Sequence, residues 1–264
     1  AEILHSFHPA LENKEFEIYF QPKVRTSNLA VSSAEVLVRW IRNGKMLWSP
    51  DIYIPLFEQN GFVVDLDYYV YEQTFQWLRK YSGKLPQGFR ISLNVSPVHF
   101  EQPQTFIQKI QELIDSYCVE PSFLTFEITE STYVNNPLAV NQVIRSLQNR
   151  NIQISMDDFG SGYSSLNTLK DLLFDEVKID RMFLGDTISE SGHIVLEEIF
   201  HMLKRMKKSI VCEGVETMDD LRRVLEMGVD LLQGYCLAHP AAEPLAIHEK
   251  AVRVIEEAAR QRDA

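Results

Sequence analysis

Segments with the pattern of β-strands alternate with helical segments along almost the whole chain, and the connections between them are short. This alternation predicts a parallel sheet with right-handed crossovers. Eight strand segments with intervening helices favour an α/β fold of the closed (β/α)8, TIM-like type over an open doubly wound sheet. No glycine-rich dinucleotide fingerprint follows any of these strands, which weakens the open-sheet alternative. Barrels of about 250 residues are common as single units, so residues 1–264 are expected to form one domain.

The boundaries of the expected elements follow from apolar periodicity and from turn residues. Strands are expected at 16–24, 31–40, 90–96, 123–129, 152–156, 175–180, 209–214 and 230–235. Helices are expected at 1–15, 51–60, 65–81, 103–117, 137–150, 165–173, 188–207, 218–227 and 243–260. The chain begins inside a helical pattern without an initiator Met, so residues 1–15 are interpreted as a linker helix from an upstream domain.

Composition narrows the classes of partner. An apolar content of 45% and a charged content of 24% are those of a soluble globular protein. The net charge of −11 argues against a nucleic acid duplex, but it allows a small phosphorylated ligand if metal ions supply positive charge. Three cysteines lack metal-binding spacing, and Cys118 and Cys212 lie in apolar surroundings, which predicts buried free thiols in a reducing cytosol. No membrane-spanning run is visible in the sequence, so this segment is expected to be cytoplasmic and without direct membrane contact, although the parent protein can be membrane-anchored.

The stretch 152–164 joins a buried-strand pattern to two adjacent carboxylates and a glycine-rich turn. Asp157 and Asp158 follow the apolar run 152–156 directly. Two like charges side by side repel each other and resist desolvation. A divalent cation between them would remove that penalty. A solvated turn is the simpler alternative for this stretch alone, and polar residues at other strand ends favour the metal site.

Catalytic groups of a (β/α) barrel lie at the carboxyl ends of its strands. The residues at those ends are Glu35, Asn94, Glu127, Asp157, Asp158, Lys178 and Glu213. Oxygen ligands of this kind indicate Mg²⁺ or Mn²⁺ rather than a thiolate zinc site. The number of carboxylates suggests two ions bridged by one carboxylate, an arrangement that serves phosphoryl displacement. Arg39 and Lys178 would then meet phosphate oxygens or the attacking water. Each residue alone has a simpler role, such as a surface carboxylate or a turn former, but the set indicates one site.

These residues fall in motifs that resemble those of the EAL domains, which hydrolyse the bacterial second messenger cyclic di-GMP. The resemblance runs from Gln21-Pro22 to Pro240. Its motifs are Glu35-Val36-Leu37-Val38-Arg39-Trp40, Asn94-Val95-Ser96, Glu127-Ile128-Thr129-Glu130, Asp157-Asp158-Phe159-Gly160, Lys178-Ile179-Asp180, Glu213-Gly214-Val215-Glu216 and Gln233-Gly234-Tyr235. The signature triplet has Val36 where the family has alanine, which adds bulk and leaves the functional Glu and Leu in place.

The resemblance implies a barrel whose first strand runs antiparallel to the rest, and it implies a role for each site residue. One metal would be held by Glu35, Asn94, Glu127 and Asp157, and a second would share Asp157 and add Asp158 and Glu213. Catalysis would rest on Lys178, Glu213 and Glu35, with Lys178 orienting or deprotonating the attacking water. The substrate would contact Gln21, Leu37, Arg39, Glu216 and Gln233. Glu130 would anchor the loop 159–165.

The implied function is that of a phosphodiesterase that uses two Mg²⁺ or Mn²⁺ ions to convert cyclic di-GMP to linear 5′-pGpG. The expected partners are cyclic di-GMP, a second copy of the chain in a homodimer, and regulatory domains of the full-length protein. A catalytically silent receptor for cyclic di-GMP is the alternative. Such receptors usually lack several metal ligands, whereas here every ligand and Lys178 are present, which favours the enzyme. A barrel phosphodiesterase for another nucleotide remains as a third reading.

Overall fold

The structure is a computed structural model, and it describes residues 2–160, 173–180 and 190–242. Its strands are β1 Phe16–Arg25, β2 Val31–Arg42, β3 Lys45–Trp48, β4 Arg90–Asn94, β5 Leu124–Thr129, β6 Gln153–Phe159, β7 Glu176–Ile179, β8 Ser209–Cys212 and β9 Leu231–Leu232. Its helices are α1 Glu2–Glu12, α2 Pro50–Asn60, α3 Val63–Tyr81, α4 Pro103–Tyr117, α5 Glu130–Asn135, α6 Pro137–Gln148, α7 Glu190–Arg205 and α8 Met218–Met227. The predicted helices 165–173 and 243–260 lie outside the described residues, apart from residue 173.

Eight of these strands close into a barrel in the order β1, β9, β8, β7, β6, β5, β4, β2, with β2 pairing back to β1. β1 is antiparallel to both of its neighbours, β2 and β9. All other barrel pairings are parallel. The predicted TIM-like barrel with an antiparallel first strand is therefore confirmed.

β2 continues past its pairing with β4, which ends at Glu35, and forms a β-hairpin with β3, which the sequence analysis missed. Trp40 of β2 pairs with Trp48 of β3. The two turn residues, Asn43 and Gly44, both have positive φ, at 55° and 72°. An Asn-Gly pair with this geometry is a strong hairpin signal, so the sequence did contain the information needed to predict β3.

Aromatic side chains fasten α1 to the barrel. Phe7 is fully buried, and its ring lies 4.6 Å from that of Phe57 and 5.0 Å from that of Phe62. The Phe57 ring in turn contacts Phe16 of β1 and Trp40 of β2. The interpretation of this helix as a linker stays a prediction. The helix packs on the same aromatic core as β1 and β2.

Several strand boundaries differ from the prediction at the carboxyl ends. β6 was expected to end at Met156, but it continues through Asp157 and Asp158 to Phe159. β9 pairs over only two residues, Leu231 and Leu232, instead of six. The short helix α5 was not expected. Cys212 is buried as predicted, but Cys118, which follows the end of α4, is exposed. Among the described residues, no helix has the length and apolar character needed to cross a bilayer.

The interior of the barrel below the strand ends is polar. Buried residues there include Lys23, Ser92, Thr125, Ser155 and Glu176. TIM barrels usually fill this space with branched apolar side chains. Because side chains two residues apart on a strand share a face, this polar layer lies directly beneath the residues at the strand ends.

Candidate active site

Lys178 of β7 lies at the centre of the site, with its side chain buried. Its Nζ is 2.8 Å from Glu213 Oε1 and 3.1 Å from Asp157 Oδ1. It also donates to Glu35 Oε2 at 3.3 Å and to Glu127 Oε2. Carboxylates on β2, β5 and β6, and one directly after β8, thus meet at a single ammonium group. We call the carboxylates Glu35, Glu127, Asp157, Asp158 and Glu213 the acidic cluster.

A bulge in β6 turns two consecutive carboxylates towards the same place. The pairing with β7 shifts between Met156 and Phe159, and Asp158 adopts a left-handed conformation with φ of 55°. That conformation interrupts the usual alternation of side chains. Carboxylate oxygens of Asp157, Asp158 and Glu213 lie within 4.8 Å of one another, as a metal ion would require.

Glu127 of β5 is fully buried and is divided between two lysines. Its Oε1 accepts a hydrogen bond from Lys23 Nζ at 2.6 Å, and its Oε2 accepts one from Lys178. Burial acts to raise the pKa of Glu127, but the two ammonium groups together outweigh burial and hold the pKa below its ordinary value. Glu127 is therefore an ionised carboxylate whose oxygens can act as metal ligands.

Amide side chains surround Glu35 on β2. Asn94 Nδ2 at the end of β4 donates to Glu35 Oε1 at 2.9 Å. Gln233 Nε2 donates to Glu35 Oε2 at 2.7 Å and to Gln21 Oε1 at 3.3 Å. Gln21 and Glu35 are direct partners across the antiparallel β1–β2 pair, so the reversed first strand brings Gln21 to the site.

The acidic cluster carries more negative charge than its lysines neutralise. Burial, reinforced by Glu127, Glu35 and Asp158, raises the pKa of Asp157 to about 7 despite the nearby Lys178 ammonium. Burial, reinforced by Asp157, Glu35 and Glu127, also raises the pKa of Glu213 well above its ordinary value. Lys178 shows the opposite balance, since four carboxylates overcome burial and raise its pKa. An all-oxygen site with excess negative charge and closely spaced carboxylates fits hard divalent cations.

Two cavities open beside the acidic cluster, and both are lined by Leu37. The first, of about 310 Å³, is lined by Gln21, Glu35, Leu37, Glu213, Gly214, Glu216, Gln233, Gly234 and Tyr235. The second, of about 270 Å³, is mostly apolar and includes Leu37, Arg39, Asn94, Ile54 and Tyr71 in its lining. The predicted substrate-binding residues are thus brought together in adjacent cavities. Arg39 is half-buried, and its Nη1 donates to the neighbouring Val38 carbonyl at 2.9 Å.

Glu130 is buried at the start of α5, where it follows β5. Its Oε2 accepts a hydrogen bond from the Gly160 backbone N–H at 2.8 Å. The contact lies at the beginning of the predicted loop 159–165, of which residues 161–165 are outside the described part. α5 positions Glu130, and the Thr129 side chain caps the helix by accepting from Thr132 N–H.

The sequence analysis missed two residues at this site. Lys23 was not singled out, although it stands two residues from Gln21 on β1 and therefore shares its face. Tyr235 was quoted only as part of a motif. It is an exposed ring at the first cavity, and its centroid lies 4.4 Å from that of the tilted His239 ring. Gly234 fixes this turn, because an added Cβ would lie 2.3 Å from the Val215 carbonyl oxygen.

Comparison with known proteins assigns the family. A family profile described as EAL domain matches residues 5–240. The chain belongs to the EAL domain family. Its fold resembles the solved PaMucR phosphodiesterase in complex with c-di-GMP, with a TM-score of 0.84, 30% identity and coverage of 91% of this chain and 98% of that one.

Curated relatives of this EAL domain include longer proteins. It is 34% identical to the cyclic di-GMP phosphodiesterase PdeL of Escherichia coli, over 88% of this chain and 64% of that protein. It is 30% identical to the bifunctional diguanylate cyclase/cyclic di-GMP phosphodiesterase MucR of Pseudomonas aeruginosa, over 90% of this chain and 35% of that protein. The EAL domain described here therefore spans between about a third and two thirds of the length of these relatives.

Proposed function

We propose that this chain is a metal-dependent phosphodiesterase that hydrolyses cyclic di-GMP to linear 5′-pGpG. The observation that carries the proposal is the convergence of the acidic cluster, Asn94 and Lys178 at one end of the barrel, beside two cavities. Relatives named as cyclic di-GMP phosphodiesterases align over most of this chain, which supports the choice of substrate.

The residues present fit two Mg²⁺ or Mn²⁺ ions. Glu35, Asn94, Glu127 and Asp157 would hold one ion, and Asp158 and Glu213 would hold the other together with Asp157. The short distances among Asp157, Asp158 and Glu213 support the second set, and the Asn94–Glu35 hydrogen bond supports the first. When bound, such ions lower the pKa of a water ligand and neutralise charge on the leaving oxygen.

The side chains of this chain would bind and orient the substrate around that centre. Lys178 is a buried ammonium donor in the middle of the acidic cluster, which favours an orienting role towards the attacking water. Arg39 would pair with a phosphate through its planar guanidinium. Gln21, Leu37, Glu216 and Gln233 would contact the rest of the substrate from the first cavity.

The silent-receptor alternative is less favoured, because the complete ligand set lies together in one cluster. Incubating the purified chain with cyclic di-GMP and Mg²⁺ or Mn²⁺, followed by chromatography of the nucleotides, tests the two against each other. The enzyme proposal expects linear dinucleotide with metal and none with a chelator. Tight binding of intact cyclic di-GMP at saturating metal would instead identify a receptor.

The proposal extends to the setting of the domain. We propose that it acts in the cytoplasm as one domain of a longer protein that carries regulatory domains, with α1 as the connection, and that it forms a homodimer. The greater length of the relatives supports the first part. We also propose that Glu130 anchors the loop after Phe159, which the Gly160 contact supports.

A further inference from the structure

Lys23 is a second fully buried lysine in the barrel, and nothing in the proposed mechanism uses it. It comes from β1, the antiparallel strand. Its Nζ lies 2.6 Å from Glu127 Oε1, 3.0 Å from Ser92 Oγ and 3.5 Å from Glu176 Oε1. A buried ammonium is costly unless it is paired and hydrogen-bonded, and these three groups hold Lys23 in one position beneath the acidic cluster.

The two lysines approach Glu127 at different oxygens. Lys178, which binds Oε2, also contacts Glu35, Asp157 and Glu213. Lys23, which binds Oε1, also contacts Ser92 and Glu176 of the polar layer. Oε2 of Glu127 therefore faces the acidic cluster, while Oε1 is held from below by a charge-assisted hydrogen bond.

Because Oε1 faces the polar layer and is held there by Lys23, it is not available to a cation in the acidic cluster, whereas Oε2 faces that cluster. Ca²⁺ takes 6–8 oxygen ligands at long distances and often binds a carboxylate through both oxygens, whereas Mg²⁺ keeps a compact octahedral shell. We propose that Lys23 is a positioning residue that restricts Glu127 to one oxygen and thereby makes the site select small octahedral cations over Ca²⁺. This inference rests on the proposed function, because it takes Glu127 as a metal ligand.

A purely structural role for Lys23 would be to neutralise buried carboxylates. Removing Lys23 would then change the binding of every cation by the same factor, or lower only the stability of the fold. The ratio of Ca²⁺ affinity to Mg²⁺ affinity separates the two roles, since only release of Oε1 favours the larger ion.

The test uses Lys23→Met combined with Glu176→Gln, which removes one buried positive charge and one buried negative charge together. Glu176→Gln alone is the matched control, because it leaves Lys23 on Oε1. Mg²⁺ and Ca²⁺ are titrated separately into each metal-free protein by calorimetry, without substrate. We expect the Ca²⁺ to Mg²⁺ affinity ratio to rise about tenfold in the double variant, at the lower end of effects seen for groups that hold metal ligands, and to stay at the wild-type value in Glu176→Gln.

An unchanged ratio in a double variant that retains its circular dichroism spectrum would overturn the inference. If the double variant does not fold, Ser92→Ala is the second variant, because it removes one partner of Lys23 and leaves every charge in place. It should shift the ratio in the same direction by less, and a wild-type ratio there would overturn the inference as well. Failure of wild-type protein to bind either cation would contradict the proposed metal site itself, and the inference with it.

Discussion

The left-handed backbone of Asp158 determines how many carboxylates β6 contributes. A regular strand would send Asp157 and Asp158 to opposite faces. With φ of 55° at Asp158 and a hydrogen bond from Asp158 N–H to Asp157 Oδ1, both carboxylates lie near Glu213. Aspartate tolerates this region better than most residues. The sequence revealed the pair, but not the bulge that allows both members to act.

Asp157→Asn should nearly abolish hydrolysis of cyclic di-GMP. The substitution keeps the size of the side chain but removes the charge shared by both proposed ions. We expect turnover to fall more than about 100-fold, beyond the range for groups outside the ligand shell, with little recovery at high Mg²⁺ or Mn²⁺. Near wild-type turnover at low metal concentration would exclude Asp157 as the bridge.

The same substitution should stabilise the metal-free fold at neutral pH. Burial raises the pKa of Asp157 to about 7, so the folded state favours its protonated form, and stability is lost as pH rises from about 4 to about 7. Asparagine removes that loss. With a chelator present, thermal unfolding should show a melting temperature difference in favour of Asp157→Asn that is larger at pH 8 than at pH 5. A difference that is independent of pH would contradict this account of Asp157.

Arg39→Ala should weaken substrate binding without affecting the fold. The guanidinium is half-buried in the lining of the second cavity, and a hydrogen bond to a charged group contributes about 1.5–3 kcal/mol. We therefore expect a loss of about 10- to 100-fold in cyclic di-GMP affinity by calorimetry. Arg39→Lys keeps the charge but loses the planar guanidinium, so its affinity for cyclic di-GMP should lie between those of the wild type and Arg39→Ala. Unchanged affinity in Arg39→Ala would remove Arg39 from the substrate site.

At the scale of elements, the reversed direction of β1 has the largest consequence. Because β1 runs antiparallel to β2, Gln21 of β1 lies opposite Glu35 of β2. Lys23, two residues further along β1, lies in the barrel interior on the same face as Gln21. Alternation of strands and helices predicts only parallel neighbours, so periodicity alone could not give this direction, and the family resemblance supplied it. The sequence did not identify Lys23 as a buried residue, because a lysine in a strand usually indicates an exposed face.

The turn after β9 depends on a glycine. Gly234→Ala would place a Cβ 2.3 Å from the Val215 carbonyl oxygen, and this turn carries Gln233 and Tyr235. We expect a loss of about 1–3 kcal/mol in unfolding free energy, typical of overpacking, and a higher KM for cyclic di-GMP. Gly83→Ala is the control, since its added Cβ meets no atom within 4 Å. Equal unfolding free energies and equal KM values in the two variants would show that the close approach of Gly234 to Val215 is unimportant.

At the scale of the whole molecule, the barrel and the residues of the site could be predicted from the sequence, while the polar layer beneath the site could not. Glu127, Asp157 and Glu213 follow or lie near the ends of apolar runs, whereas Glu35 lies inside β2, and all four converge on Lys178. The polar layer around Lys23 consists of single residues inside apolar strands. Their meeting in space depends on strand tilt and register, which one sequence does not specify.

Metal binding should stabilise the whole fold, because it neutralises the acidic cluster only in the folded state. A ligand at 100 times its dissociation constant contributes about 2.7 kcal/mol, which for a chain of this size corresponds to about 5–10 °C in melting temperature. Adding Mg²⁺ to chelator-treated protein should raise the melting temperature by that amount, and by clearly less in Asp157→Asn. An equal rise in both proteins would place the stabilising ion elsewhere.

The most direct test of the central claim is a single-turnover reaction of the metal-loaded chain with cyclic di-GMP in ¹⁸O-labelled water, followed by mass spectrometry. Attack of water on phosphorus predicts linear 5′-pGpG that carries one solvent oxygen on its terminal phosphate. The product should form with Mg²⁺ or Mn²⁺ and not with a chelator. Recovery of intact, unlabelled cyclic di-GMP from protein saturated with both metal and nucleotide would contradict the account.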